Sequence, residues 1–337
     1  MPWNCYRSNA QCATLLSCSL IQPMPPQHHG RRLIYKCANC PTYFSETTQP
    51  LMAGVKTPVS VIWQVVKART EGMGLNAAAR TFEKAKNTIL AWERKFRDLH
   101  QVLFLYALMH EFIELVSEGD AAYTKVQKNV PPEQSLGWTR LLLERASRCI
   151  WEIECGKKER TLFHKAIQSL DTIARQPQDL RLFTDGERRY GHLLCEICHE
   201  LVQNGQPGRP KKTLKPGVHV RLKNKGSQAH KKGRKRPKYQ SPWREHPATA
   251  RVIAQTAIHA NHAEAFFSAL RRKCATFRRK TNMYAKSTKG LQRLLRVYWV
   301  VHNFLRVHFT TREVPAVALG ILERRLSVHE IFQIQMA

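Results

Sequence analysis

The chain has 337 residues, with 55 Lys and Arg against 25 Asp and Glu and a formal net charge of +30. That excess points to a polyanionic partner, nucleic acid before a membrane surface, while a hydrophobic fraction of 43% excludes wholesale disorder. The longest apolar runs fall well short of the ~20 residues that span a bilayer, and the opening MPWNCYRSNAQC lacks the basic-then-apolar pattern of an export signal. A cytoplasmic protein is expected, with no membrane partner, and its cysteines are expected as thiols or metal ligands rather than disulfides.

Residues 1–52 are rich in Cys, Pro and His and read as a small module that needs a staple. Cys37-Ala-Asn-Cys40, followed by Pro41 and the Tyr43/Phe44 pair, has the form of one zinc-ribbon knuckle, because two thiolates on one turn can both reach a tetrahedral ion. Cys5, Cys12 and Cys18 lie upstream at looser spacings. Cys5 and Cys12 are assigned as the second pair for a structural Zn²⁺, with a metal-free module as the alternative.

Residues 55–112 turn helical. Val59–Thr70 carries Val59, Ile62, Val65 and Val66 on one helical face. Gly72 and Gly74 stop it, a short helix follows over Leu75–Phe82, and after a break at Glu83–Ala85 a third helix spans Asn87–Phe96. That layout predicts a helix-turn-helix. Lys86, Asn87, Thr88, Arg94, Lys95 and Arg97 are then the polar candidates for a DNA major groove. A helical spacer that contacts nothing is the bland alternative.

The core is expected in two parts, 115–203 and 248–312, before a C-terminal tail at 313–337. Asp120–Val126 reads as a first strand, and Trp138–Glu144 and Cys149–Glu154 as a hairpin joined by Arg145–Arg148. Lys158–Arg175 reads as a crossover helix, Leu180–Thr184 as a buried strand and Arg188–Leu201 as another helix. Three meandering strands, a helix and a fourth strand predict an α/β fold with a mixed sheet, in the order of a ribonuclease-H-like core. Functional residues of such sheets gather where strands end at their carboxyl termini. Asp120 sits at the first strand and Asp185 leaves the carboxyl end of the fourth, and Glu264 opens a helix whose apolar residues Phe266, Phe267 and Leu270 leave it on the flank with Ser268, Arg271 and Arg272. Three converging carboxylates suit two Mg²⁺ or Mn²⁺ ions. Each acid also has a duller reading: Asp185 as a helix N-cap, Glu264 as a capping-box partner of Asn261, and Asp120 as a surface acid.

The stretch Ile258-His-Ala-Asn-His-Ala-Glu264 through Lys273, with Phe277-Arg-Arg-Lys-Thr-Asn282, Tyr284-Ala-Lys286, Tyr298-Trp-Val-Val-His-Asn-Phe304 and Val314-Pro-Ala-Val-Ala-Leu-Gly320, resembles the C-terminal core of DDE transposases from small bacterial insertion sequences. Phe183-Thr-Asp-Gly-Glu-Arg-Arg-Tyr190 and the segment around Lys125-Val126 fit the same group. The resemblance implies a transposase that nicks the ends of its element with metal-bound water and joins the freed 3′-hydroxyl to target DNA. It further implies Asp120, Asp185 and Glu264 as the metal ligands, the element's terminal inverted repeats and target DNA as partners, a homo-oligomer, and a bacterial cytoplasmic, nucleoid-bound location. Ala121 stands where an acid commonly follows the first Asp in that group, and the first cysteine pair is irregular. Both features suit the alternative of a decayed relic that only binds DNA.

Two blocks are free of acids. Between Glu200 and Glu245 there are 14 Lys and Arg, and residues 204–247 read as a basic linker or insertion. Lys211, Lys212, Lys231, Lys232, Arg234 and Lys235 are expected to track phosphates there. In the second block Arg271, Arg272, Arg278, Arg279 and Lys280 fall close to Glu264. Cys195-Glu-Ile-Cys198-His199 matches a haem-attachment pattern, but on a helix it reads more simply as packed thiols.

Overall fold

A computed structural model describes residues 51–52, 55–110, 112, 114–128, 130–165, 179–184, 188–203, 205, 208–222, 257, 259–278 and 283–334, with the strand segments 21–23, 34–37, 43–45 and 243–244. The chain forms two compact units, residues 1–102 with 326–337, and residues 103–325. Among the described residues no helix is long and apolar enough to cross a membrane.

In the first unit, β1 (Ile21–Pro23), β2 (Ile34–Cys37) and β3 (Tyr43–Ser45) form an antiparallel three-stranded sheet. Three helices follow: α1 (Val59–Thr70), α2 (Leu75–Thr81) and α3 (Lys86–Leu108), whose residues from Leu103 on belong to the second unit. The first has the bounds its apolar spacing predicts, and the third runs twelve residues beyond the expected Phe96 because Leu99, Leu103 and Ala107 continue the buried stripe. Ile62, Val65 and Val66 of α1, Ala78 of α2, and Ile89, Trp92 and Phe96 of α3 are buried. Arg69 donates to the buried Glu93 at 2.8 Å and to the Met73 carbonyl at 2.7 Å, which ties the α1 end to α3 and to the turn after α1. A short C-terminal helix (Val328–Phe332) belongs to the same unit, with Phe332 edge-on to Phe96 at 5.4 Å.

The second unit is α/β. Its mixed sheet uses β4 (Glu114–Tyr123), β5 (Trp138–Glu144), β6 (Ile150–Gly156), β7 (Asp179–Thr184), β10 (Val218–Leu222) and β11 (Trp243–Arg244). The order across the sheet is β11-β10-β7-β4-β5-β6. β4, β7 and β10 are parallel neighbours, and β5 is antiparallel to both β4 and β6. Residues 160–165 are helical, α4 is Arg188–Ile197, and β8 (His199–Val202) pairs with β9 (Lys211–Leu214) as a separate ribbon. Two longer helices complete the unit, α5 (Asn261–Lys273) and α6 (Thr288–Val300), the latter running into a π-helical turn at Val301–Leu305 and followed by the short α7 (Pro315–Ala318).

Three expectations are corrected. The first strand begins at Glu114, six residues before Asp120, and ends at Tyr123; Ser-Glu-Gly has the local chemistry of a turn, but Ser117, Glu118 and Gly119 are buried between β5 and β7. The helix from Arg188 stops at Ile197, and His199–Val202 pairs as a strand instead. Part of the basic segment 204–247 is sheet, since Val218–Leu222 runs parallel to β7 and Lys211–Leu214 pairs with β8. There the Val-His-Val-Arg-Leu alternation outweighs the surrounding charge.

Edge strand β6 is covered by side chains that imitate a neighbouring strand. Asn303 in the π turn donates to the Ile150 carbonyl at 2.8 Å and accepts from its N–H at 2.9 Å. Gln292 of α6 accepts from Cys155 N–H at 2.8 Å and donates to the Ile153 carbonyl at 3.0 Å. These bonds satisfy an edge that would otherwise offer itself to another chain. On the same strand Arg296 ion-pairs with Glu154 and lies 3.9 Å from Glu152.

Burial pushes the Glu152 carboxyl up to about 8, partly offset by Arg296. Its proton is therefore held by the folded protein and lost by the unfolded chain through the window from 4.5 to about 8, so stability from this group falls as pH rises, by up to about 1.4 kcal/mol per pH unit. His302, whose pKa burial pushes down to about 3, works in the opposite direction below its ordinary value. That contribution is common to wild type and a Glu152 variant. Urea unfolding of Glu152→Gln is expected to gain on wild type progressively between pH 5 and 8, whereas parallel profiles would contradict the buried protonated carboxyl.

Candidate functional site

Glu118 organises the carboxyl half of β4. Its side chain is fully buried, and both carboxylate oxygens are taken. Oε1 accepts from Arg145 Nε at 2.8 Å and lies 2.7 Å from His262 Nδ1; Oε2 accepts the backbone N–H groups of His262 and Ala263, each at 2.9 Å. Those two N–H groups are orphan donors of the first turn of α5, where the residue at the N-cap, Ala260, has no side chain to cap them. A strand carboxylate 144 residues earlier in the chain supplies the cap and meets the positive end of the helix dipole.

Arg145, at the β5–β6 turn, completes the junction. Its two terminal nitrogens donate to the carbonyls of Ala257 and His259 at 2.7 and 2.6 Å, its backbone N–H to Val116 O at 2.7 Å, and its guanidinium lies 4.4 Å from the Phe183 ring of β7. One arginine thus joins β4, the hairpin, β7 and the approach to α5.

From this anchor α5 runs alongside β4 in the strand's own direction: Glu118 meets its first turn, and the Thr124 hydroxyl donates to the Thr276 carbonyl beyond its end. Asp120 lies two residues past Glu118 on the same strand face and is half-buried, with Oδ1 accepting its neighbour's N–H at 2.7 Å. Glu264 is exposed on the first turn of α5, while Ala263, Phe266, Phe267 and Leu270 are buried. The capping-box reading of Glu264 is corrected, since Glu118 rather than Asn261 caps the helix. Asp185 lies outside the described residues. The residue before it, Thr184, is the last of β7 and pairs with Gly119, the residue before Asp120.

A cavity of about 370 Å³ opens where β4 ends, lined by Ala121–Lys125 and Trp138 together with Arg271 and Arg278. Arg271 shares the Glu264 flank of α5, and Arg278 is exposed just beyond the helix. Arg272 is exposed on a different flank. Arg279, Lys280, Lys231, Lys232, Arg234 and Lys235 lie outside the described residues, while Lys211 and Lys212 are exposed on β9.

Among the α3 candidates, Lys86, Asn87, Arg94 and Arg97 are exposed and fall within about 100° of one another around the helix. Thr88 and Lys95 are half-buried on another side. Beside the α3 start, Arg80, Lys84 and Lys86 border one shallow depression. Cys5, Cys12, Cys18 and Cys40 lie outside the described residues, as does the side chain of Cys37, which ends β2. Cys198 of the Cys195–His199 haem-attachment pattern is buried, and His199 lies on β8 with Nδ1 2.9 Å from the Glu196 carbonyl.

Glu118, His259 and His262 present ligand atoms within 4.8 Å of one another, a donor set that a metal ion can use. The carboxylate already accepts from an arginine and two backbone N–H groups, so here the cluster acts as the clamp of a helix start. Sequence reasoning passed over Glu118; its one signal was the i, i+2 spacing to Asp120. A scan against protein-family models finds no match to the chain, and a search of the curated proteins finds none either.

Removing one partner of a buried charge pair leaves the other unpaired in the interior, at a cost of roughly 3–5 kcal/mol. Glu118→Ala is expected to lower stability by about that amount, and to raise amide hydrogen exchange at the start of α5 most. A loss confined to the β5–β6 hairpin would show that the cap contributes little.

Proposed function

We propose that the chain is a metal-dependent DNA strand-transfer enzyme of the DDE transposase kind, built on a ribonuclease-H-like core, with Asp120, Asp185 and Glu264 as its metal ligands. The observation that carries this reading is the register of the two central parallel strands. Gly119 pairs with Thr184, and the residues that follow them in sequence are Asp120 and Asp185. The strand order β6-β5-β4-β7-β10 supports it: counting these strands along the chain, the order is third, second, first, fourth, fifth, with only the second antiparallel to the rest. That is the arrangement expected of a ribonuclease-H-like sheet.

Three carboxylates are the hard oxygen donors that Mg²⁺ and Mn²⁺ prefer. Bound there, two such ions would supply an activated water or 3′-hydroxyl and charge stabilisation at the leaving oxygen. The chain's own part is geometric and electrostatic. Asp120 sits on a strand held between two neighbours, and Glu264 on a helix turn whose start is fixed by Glu118. Arg271 and Arg278, lining the cavity where β4 ends, hold the DNA backbone against the acids' own repulsion. The exposed Lys86, Asn87, Arg94 and Arg97 of α3 give a helix-turn-helix reader its base- and phosphate-contacting side chains.

The test is nicking of a supercoiled plasmid that carries the gene with its flanking DNA. Wild type is expected to nick it only with Mg²⁺ or Mn²⁺, and Asp120→Asn, Asp185→Asn and Glu264→Gln are each expected to lose at least about a hundredfold in rate while still binding the plasmid. Binding without metal-dependent nicking by wild type would identify the DNA-binding relic instead.

A further inference from the structure

On the opposite flank of α5 from Glu264 lies a second cavity, of about 400 Å³, within the size range of pockets that enclose a small ligand. We propose that it receives one unpaired nucleotide of a DNA strand, its phosphate held by Arg148, Arg272, Lys273 and Arg306 and its base stacked on Phe309. The proposal rests on the reading of the chain as a protein that acts on DNA, and it adds a strand-specific pocket that neither the three acids nor the α3 surface requires.

The lining carries the argument. Four side chains that are permanently cationic at neutral pH come from three separate places: the β5–β6 turn, the end of α5, and the segment after the π turn. No carboxylate joins them in the wall. Such a wall favours a phosphate and repels cations. Between the cations the floor is aromatic. Phe266 and Tyr298 are buried edge to face at 5.9 Å, and His302 stacks on Tyr298 at 5.9 Å with its Nε2 2.9 Å from the Arg148 carbonyl. The Arg306 guanidinium lies 5.3 Å from the Tyr298 ring centre. Arg148 itself holds a left-handed backbone conformation (φ 66°), unusual outside glycine, in the turn that brings its side chain to the cavity. The π-helical turn carrying His302 is likewise a rare geometry that is frequent at functional sites.

At the mouth stands Phe309, 78% exposed, with Arg312 4.5 Å from its ring centre. An exposed phenyl ring beside a phosphate-binding wall offers what an unstacked base needs, an apolar face next to positive charge. A paired duplex offers it only phosphates, since its bases are stacked inside and its girth does not enter a cleft of this size. A single nucleotide brings both parts.

The test is fluorescence anisotropy of the full chain, without divalent metal, on three labelled probes: a blunt duplex, the same duplex with a short single-stranded extension, and that extension made abasic. Wild type is expected to bind the extended duplex about tenfold more tightly than the blunt one, with the abasic probe falling back toward the blunt value. Phe309→Ala, a change at an exposed position, is expected to erase most of that preference and leave blunt-duplex binding within about twofold of wild type. Arg272→Ala with Lys273→Ala should weaken binding of the extension while keeping the order of base over abasic. Equal affinity of wild type for blunt and extended probes, or a preference that survives abasic substitution or Phe309→Ala, overturns the pocket. Because no metal is present, this outcome is independent of nicking: a protein that nicks but shows no preference keeps the proposed activity and loses the pocket, and the reverse result separates them the other way.

Discussion

The second unit depends on a buried carboxylate that serves two structural elements at once. Glu118 has no contact with solvent, and an isolated charge in that position would be prohibitive. It is tolerated because an arginine and two backbone N–H groups surround it. The same bonds solve a separate problem, the uncapped start of α5 after Ala260. A strand and a helix that are distant in sequence are therefore locked in register by a single side chain. Ion pairs of this kind often contribute little net stability compared with an apolar replacement; here the bonds of Glu118 join β4 to the first turn of α5.

That lock fixes which flank of α5 faces which cavity. One flank bears Glu264, Ser268 and Arg271, of which Arg271 reaches the cavity at the end of β4. The opposite flank bears His262, Phe266, Ala269 and Lys273, and borders the cationic cavity. Between them Ala263, Phe267 and Leu270 bury against the sheet. With the helix start pinned by Glu118, rotation about its axis is blocked, so each flank keeps its assigned neighbours. Four acids of the sheet are buried or half-buried: Glu118 beneath the helix, Asp120 on the central strand, and Glu152 and Glu154 near Arg296.

Much of the architecture was legible because it rests on short-range pattern. Apolar spacing alone delimits Val59–Thr70, and β-branched and aromatic runs delimit Trp138–Glu144 and the strand ending at Thr184. What escaped is what tertiary contacts decide. Ser117-Glu118-Gly119 looks like a turn and becomes the middle of a buried strand, because neighbours on both sides satisfy its backbone and Arg145 neutralises its charge. Val218–Leu222 sits in a basic stretch whose composition suggests a linker, yet its alternation lets it add to β7. Of the candidate site, the sequence offers Asp120 and Glu264 through their positions on elements, whereas the residue that positions the Glu264 helix is not legible there, since nothing local links Glu118 to Ala263.

In the function proposed, Asp120, Asp185 and Glu264 together hold a pair of divalent ions. Electron paramagnetic resonance of Mn²⁺ titrated into the full chain tests it most directly. Two equivalents are expected to bind with the spectrum of a spin-coupled pair, as for ions about 3.5–4 Å apart, with loss of that coupling in Asp185→Asn. A spectrum of isolated, weakly held Mn²⁺ that is the same in wild type and Asp185→Asn would contradict it.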